Sequence, residues 1–300
     1  MADLPEVHSI KVIGILGAGQ MGGGIAQVAA TAGYDVHLAD ASLALAEKGR
    51  ARIDQVLGKQ VDKGKMSADM RASVVGRITP IAGPQGFADC DLVVEAATEK
   101  VELKLELFKK CDEAMRPDAY LASNTSSISL TRLAGATSRA ERVIGMHFMN
   151  PPPLMKLVEI VRAVQTANET YETIKAVAQK MGKTVVTSKD VPGFLVNRML
   201  IPMIGEACFA LQEGLGTPED IDTAAKLGLN HPMGPLELAD LIGLDTCLFI
   251  LEVLHRDLGD DKYRAPTMLR NLVAAGWFGR KTGKGFYTYD EKGNRTGHTL

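Results

Sequence analysis

The run Lys11-Val-Ile-Gly-Ile-Leu-Gly17-Ala-Gly19-Gln-Met-Gly22 constrains this chain more than any other segment. A short apolar stretch bounded by glycine reads as a buried strand. Three glycines at the spacing Gly-x-Gly-x-x-Gly follow it, and then Ile25, Val28, Ala29 and Ala32 recur at helical spacing. Gly33 is placed to end that helix as its C′ residue. In such a strand–turn–helix unit the first glycine makes the tight turn and the third lets helix and strand pack. The second leaves the backbone open to close approach, and the N–H groups of the opening helix face whatever approaches, favouring an anion. The pattern predicts a cradle for the pyrophosphate of a dinucleotide. The bland alternative is a tight glycine turn that holds nothing.

A second strand, residues 34–40, ends at Asp40, 18 positions after Gly22. A carboxylate there can accept both hydroxyls of an adenine ribose and would repel a 2′-phosphate, so NAD is expected in preference to NADP. Residues 12–34 carry no charge and exceed the ~18-residue length of a membrane span. They also hold seven glycines and two glutamines, and their apolar period changes partway. Strand, turn and helix fit them better than a membrane helix, and no membrane partner is expected.

The same alternation continues. Residues 91–95, 120–123, 143–147, 157–161 and 184–187 read as strands, and residues 42–65, 101–115 and 170–181 as helices. Strands alternating with helices predict an α/β fold with a doubly wound, mainly parallel sheet of the Rossmann type. Beyond Asp190-Val-Pro-Gly193 the pattern turns helical, over 194–212, 218–227, 236–242 and 245–258, with no strand expected until Gly285-Phe-Tyr-Thr-Tyr289. The expected division is a Rossmann domain over 1–190 and a separate all-helical domain over 191–300. The helix over 194–212 is apolar on too much of its circumference for a solvated helix, which predicts a dimer contact through the second domain. The polar tail 291–300 is expected to be loose.

Charge and cysteines narrow the function classes. Lys plus Arg is 34 against 36 Asp plus Glu, a net charge of −2, so no basic field points to nucleic acid. Cys90, Cys111, Cys208 and Cys247 include no C-x-x-C pair and are too few for a disulfide scaffold. They read as reduced thiols of a cytoplasmic protein, with no metal site expected. The start, Met1-Ala-Asp-Leu-Pro-Glu, carries acids where a leader would carry bases, so no targeting segment is expected.

His147 ends one predicted strand and Glu159 lies on the next, 12 positions later, with Asn-Pro-Pro-Pro between them. Two strands meeting across that corner can bring imidazole and carboxylate together, a pair suited to general acid–base work. A buried histidine satisfied by a structural glutamate is equally compatible with the spacing. Asn197 falls on the apolar stripe of Phe194, Ile201 and Ile204, where an amide is unfavourable unless it is paired. Arg52, Lys59 and Lys63 share a helix face that suits phosphate groups or is simply solvated. Met146, Met149 and Met155 near the corner read as packing and pocket lining.

His147-Phe-Met-Asn-Pro-Pro-Pro-Leu-Met-Lys-Leu-Val-Glu159-Ile resembles the signature of the short-chain L-3-hydroxyacyl-CoA dehydrogenases, a group that includes the bacterial 3-hydroxybutyryl-CoA dehydrogenases. Ser123-Asn-Thr-Ser126-Ser, Asp190-Val-Pro-Gly-Phe-Leu-Val-Asn197-Arg and Gly279-Arg-Lys281-Thr-Gly-Lys-Gly-Phe-Tyr resemble further motifs of that family, so the likeness runs from about Lys11 to Tyr289. It implies reversible NAD-dependent oxidation of an L-3-hydroxyacyl-CoA, such as 3-hydroxybutyryl-CoA, to the 3-ketoacyl-CoA, in β-oxidation or butanoate metabolism. It implies His147 as catalytic base, Glu159 as its partner, and Ser126 and Asn197 at the reacting oxygen. By the same resemblance Gly17, Gly19, Gln20, Met21, Gly22, Asp40, Glu99, Lys104, Asn124, Asn150 and Lys281 are NAD contacts, and the protein is a homodimer through its helical domain. A related dehydrogenase of a free hydroxy acid or sugar acid would use the same dyad without a coenzyme A cradle. An idle NAD-binding structural protein would tolerate loss of the dyad, which is intact here.

Overall fold

The computed structural model describes residues 10–299; the acidic start at 1–6 lies outside them. The chain divides into two compact units, Met1–Val191 and Pro192–Leu300.

In the first unit eight strands form one sheet: β1 (Val12–Leu16), β2 (Asp35–Asp40), β3 (Ile78–Ala82), β4 (Leu92–Glu95), β5 (Tyr120–Ser123), β6 (Val143–Phe148), β7 (Leu157–Arg162) and β8 (Thr184–Lys189). Their order is β3-β2-β1-β4-β5-β6-β7-β8. The first six run parallel, β7 turns back antiparallel to β6, and β8 pairs parallel to β7. The helices are α1 (Gln20–Thr31), α2 (Leu43–Asp62), α3 (Ala68–Gly76), α4 (Val101–Ala114), α5 (Leu130–Ala134) and α6 (Asn168–Lys180).

Alternation along the strands explains the layering. Ile13, Ile15, Val36, Leu38, Leu92 and Val94 join Ile25 and Ala29 of α1 and Ile53 and Leu57 of α2 in one buried cluster. Each fully buried branched side chain contributes about 1.5–3 kcal/mol. On the opposite face Gly14 makes room for Phe87, whose ring would lie 2.6 Å from any Cβ built there. The strand β3, absent from the sequence reading, carries Pro80, which a sheet tolerates at an edge, and β3 is an edge strand.

The second unit holds α7 (Val196–Gln212), α8 (Pro218–Thr223), α9 (Pro235–Ile242), α10 (Leu244–Leu258) and α11 (Thr267–Ala274) around Ile201, Ile204, Leu236, Leu251, Leu254 and Phe286. The helix expected from 194 starts two residues later, because Gly193 and Phe194 both have positive φ, 80° and 48°. The helix expected over 218–227 stops at Thr223 and passes into a π-helical turn over Ala224–Gly228.

The expectation of a loose tail needs correction. Strand β10 (Arg295–His298) pairs antiparallel with β9 (Tyr287–Tyr289). Asp290 closes the turn by accepting from the amides of Lys292 and Asn294, and the Arg295 guanidinium lies over the Tyr287 ring. Polar composition was read as solvation; here the polar groups satisfy a hairpin turn. Among the described residues no helix is long and apolar enough to cross a membrane, and residues 12–34 form β1 and α1.

Candidate active site

The glycine turn is built as its spacing requires. Gly17 has φ 107°, and its N–H donates to the Ala39 carbonyl at 2.8 Å, tying the turn to the end of β2. A Cβ at Gly22 would lie 1.7 Å from the Gly17 carbonyl oxygen, so the third glycine is sterically obligatory. At Gly19 a Cβ would meet nothing within 4 Å, and no side chain caps the helix that starts there. Open backbone in front of an uncapped helix N-terminus fits a pyrophosphate. Asp40 accepts from the Ala18 amide at one oxygen and the Ala41 amide at the other, both at 2.7 Å. That holds the carboxylate beside the turn with a lone pair on each oxygen for a ribose hydroxyl. These residues fit NAD.

The dyad arises from strand register. In the antiparallel pair β6–β7 His147 stands directly opposite Glu159, and Nδ1 lies 2.7 Å from Oε2. Glu159 is fully buried and His147 is 7% exposed. A carboxylate only accepts, so Nδ1 carries the proton and Nε2 is the basic nitrogen of the neutral ring. The corner between the strands is anchored from beneath by Lys183, whose ammonium donates to the carbonyls of Pro152 (2.6 Å) and Met155 (2.9 Å). Burial pulls the Lys183 pKa below its ordinary value.

The corner and the glycine turn are brought together by Gly24, where a Cβ would lie 2.8 Å from the Pro152 ring. That close approach lets Gln20, at the first position of α1, donate its side-chain N–H to Asn150 Oδ1 at 3.1 Å. Asn124, just after β5, accepts from the Phe148 amide at 2.8 Å and so ties the end of β5 to the dyad strand. Met21 packs against the core, and its neighbours in the turn carry the open face.

Ser126 is held by Glu99. Glu99 Oε1 accepts from the amides of Ser126 (3.0 Å) and Ser127 (3.2 Å), from the Ser127 hydroxyl (3.1 Å) and from the Thr125 hydroxyl. Burial opposes the charge on Glu99, but Lys104 and these donors outweigh it and hold the carboxyl below its ordinary 4.5. Lys104 departs from the expectation of a direct NAD contact. It is 1% exposed, and its ammonium meets Glu95 Oε1 at 2.6 Å, Glu99 Oε2 at 3.2 Å and the Ala97 carbonyl at 3.2 Å. Three partners take its three donors. Glu95, which the sequence reading passed over, also accepts from Ser123 Oγ and the Ala97 amide, both at 2.6 Å. Its only signal was a charge at the end of an apolar strand.

The other predicted residues lie apart from this cluster or in the second unit. Arg52 and Lys59 are exposed on α2, and Lys63 is exposed just past its end. A cavity of about 770 Å³ adjoins α2 and the proline corner; its cations are Lys65, Lys156, Lys180 and Lys183, none of them singled out from sequence. In the second unit Asn197 is buried on α7, and Lys281 is ion-paired with both oxygens of Asp245. Two motif residues have structural work. Asp190 accepts from Ser129 Oγ and the amides of Leu130 and Thr131, capping α5. Gly285 leaves room for Asp240, whose Oδ1 would lie 2.0 Å from a Cβ.

Comparison with known proteins follows the same lines. The family model for the 3-hydroxyacyl-CoA dehydrogenase NAD binding domain matches residues 12–191, and that for the 3-hydroxyacyl-CoA dehydrogenase C-terminal domain matches residues 193–289. The chain belongs to the 3-hydroxyacyl-CoA dehydrogenase family. It is 52% identical over 280 residues to a 3-hydroxybutyryl-CoA dehydrogenase of Bradyrhizobium diazoefficiens, covering 93% of this chain and 96% of the relative. It is 42% identical over 288 residues to the mitochondrial hydroxyacyl-coenzyme A dehydrogenase of Homo sapiens, covering 93% and 91%. The solved structure of (S)-3-hydroxybutyryl-CoA dehydrogenase PaaH1 from Ralstonia eutropha superposes with a TM-score of 0.91 at 48% identity, covering 94% of this chain and all of that one. As a member of this family the protein is an NAD-dependent oxidoreductase that interconverts 3-hydroxyacyl-CoA and 3-ketoacyl-CoA.

Proposed function

We propose that the preferred substrate is L-3-hydroxybutyryl-CoA, oxidised to acetoacetyl-CoA with His147 as the base. The observation that carries the residue assignment is the buried 2.7 Å contact between His147 and Glu159. Bound NAD supplies the hydride acceptor; Gly17, Gly19, Gln20, Gly22, Asp40 and Asn150 are the residues that would hold it. His147 Nε2 takes the hydroxyl proton of the substrate. Glu159 steadies the imidazolium that forms, since an adjacent anion favours the charged ring. Ser126, held by Glu99, holds the reacting oxygen, and the family resemblance assigns Asn197 a role at the same atom. Glu99 and Lys104 set the position of the Ser126 loop. Lys281 contributes to NAD binding by way of its place in the tail motif.

Coenzyme A is a polyanion, and the lysines around the α2 cavity, with Arg52, Lys59 and Lys63 on the neighbouring surface, supply the opposing charge. Its similarity to 3-hydroxybutyryl-CoA dehydrogenases supports the four-carbon substrate. Exposed Leu215, Leu227 and Leu229 on the second unit support a homodimer through that unit. Four free cysteines fit a cytoplasmic protein.

The test is NADH oxidation by acetoacetyl-CoA, by longer 3-ketoacyl-CoA thioesters and by free acetoacetate. Fastest turnover with the four-carbon thioester is expected. Comparable turnover with the free acid overturns the coenzyme A reading, and a preference for long chains overturns the assigned substrate. Sedimentation at micromolar protein tests the dimer, which a clean monomer would exclude.

A further inference from the structure

Behind the sheet, away from the dyad, His37 on β2 meets the loop that leads into β4. Three polar atoms of that loop converge on His37 Nδ1: the Gly86 carbonyl oxygen at 3.2 Å, Asp89 Oδ1 at 3.4 Å and Cys90 Sγ at 3.7 Å. The side-chain atoms of His37, Asp89 and Cys90 all lie within 4.8 Å of one another. Nδ1 either donates its one proton or accepts one, from the Cys90 thiol, so hydrogen bonding satisfies one of these contacts and leaves the others unused.

The three distances from Nδ1 are close to the edges that meet at one corner of a coordination tetrahedron. Zinc bond lengths of ~2.05 Å to nitrogen, ~2.3 Å to sulfur and ~2.1 Å to oxygen give edges of about 3.6 Å between N and S and about 3.4 Å between N and O. We infer that His37 Nδ1, Asp89 Oδ1, Cys90 Sγ and the Gly86 carbonyl form a four-ligand site for a divalent cation of the zinc class. Imidazole, thiolate and carboxylate together favour that class over magnesium or calcium. The charges close as well: a thiolate and a carboxylate neutralise a dication, and the thiol proton leaves to solvent on binding. The Asp89 carboxylate, with no other cation among the described residues paired to it than a protonated His37, attracts a dication. Asp89 is exposed, which gives the ion a route in, while Cys90 is fully buried.

The site is a clip. It ties β2 to the loop over Pro84–Phe87 and the residues just after it, and it has no part in the chemistry at His147. No short-range spacing reveals it, because one ligand lies at 37 and the others at 86–90.

The experiment uses the full chain dialysed against a chelator and titrated with Co(II), then with Zn(II). Expected are one cobalt per chain, a thiolate-to-cobalt band in the near ultraviolet, visible bands of tetrahedral intensity, and loss of all of them when zinc displaces cobalt. Cys90→Ala should abolish the near-ultraviolet band, which distinguishes Cys90 from the other three thiols. Asp89→Ala, at an exposed position that leaves the core untouched, should weaken zinc binding by at least ~10–100-fold, because loss of second-shell partners alone does as much. Zinc at a hundredfold its dissociation constant should lower the unfolded fraction about a hundredfold in wild type and not in either variant. NADH-dependent turnover should be unchanged in both, which also reports that they fold. Cobalt taken up without a thiolate band, a band that survives Cys90→Ala, or no uptake at all overturns the site.

Discussion

Each unit holds a pair of acids, Glu95, Asp222 and Asp240 buried and Glu99 partly so, and the two pairs are satisfied in opposite ways. In the first unit Glu95 and Glu99 share the ammonium of Lys104 and take further bonds from backbone and hydroxyl donors. In the second unit no cation stands between Asp222 and Asp240. Asp222 accepts from the amides of Leu236 and Glu237 at the start of α9 and from the Tyr287 hydroxyl. Asp240 accepts from the amides of Phe286 and Tyr287 and from the Tyr289 hydroxyl. The consequence is visible in their titration. Glu99 is held below its ordinary value, whereas burial, reinforced by Asp222, pushes Asp240 up to about 6 despite three donors. At Asp240 neutral donors satisfy the carboxylate's geometry without offsetting its desolvation, whereas at Glu99 the Lys104 cation helps to do so.

Glu159 is a third case, a buried acid whose partner changes charge during the reaction, and it should give the largest effect. Glu159→Gln should lower turnover by roughly 10²–10⁴-fold. His147→Gln should lose at least as much, and the double variant little more than the worse single, because the two act as a unit. Steady-state rates at saturating NAD check this; near wild-type turnover would place Glu159 among the structural acids.

Next in size is Lys104→Met, which leaves the buried Glu95 and the partly buried Glu99 without their cation. A loss of about 3–5 kcal/mol is expected in urea unfolding, with partial recovery on acidification as the carboxylates protonate. A loss under 1 kcal/mol would erase the distinction between the two clusters.

The pH dependences should have opposite signs. Asp240 has a folded value of about 6 against an ordinary 3.8, so between these the folded state binds the extra proton. Its contribution is fully present below about 3.8 and is lost as pH rises through about 6. The total is roughly 2–3 kcal/mol. Glu99 works the other way: its contribution is present above 4.5 and is lost as pH falls through its lowered value. Asp240→Asn should flatten the stability profile between pH 4 and 6, and Glu99→Gln should flatten it below 4.5. Denaturant midpoints across that range measure both, and slopes of the same sign would refute the contrast.

The smallest effect belongs to Tyr289→Phe, which removes one neutral donor from Asp240. About 1 kcal/mol is expected, together with a further rise in the Asp240 pKa. A loss several times larger would mean that the hydroxyl acts more like a cation than the comparison allows.

Legibility from sequence followed interaction range. The glycine turn, α1 and the apolar strands were readable because their determinants lie within one or two helical turns of each other. Gly17 and Gly22 clash or fit within five residues. The strand β3 was missed because Pro80 lowers its local propensity, and only its place at the sheet edge makes it tolerable. The hairpin of β9 and β10 was missed because polarity alone does not distinguish a solvated tail from a turn whose polar groups are paired. His147 and Glu159 were legible as a candidate pair since a proline corner implies a return strand, although the choice of partner residue rests on register.

The sequence by itself determined seven of the first unit's eight strands and the helices alternating with most of them, the cofactor turn, the acid at the end of β2 and the family signature around His147. These depend on periodicity, turn chemistry and steric exclusion between near neighbours. Only the tertiary structure decided that Lys104 lies buried between two carboxylates, that Asp190 caps α5, that Asp240 receives the tail and that His37 faces Cys90. Each joins side chains to groups that packing has to bring together, Asp190 from about 60 residues away in sequence, and what fixes such a meeting is the burial of the surfaces around it, which local pattern does not encode.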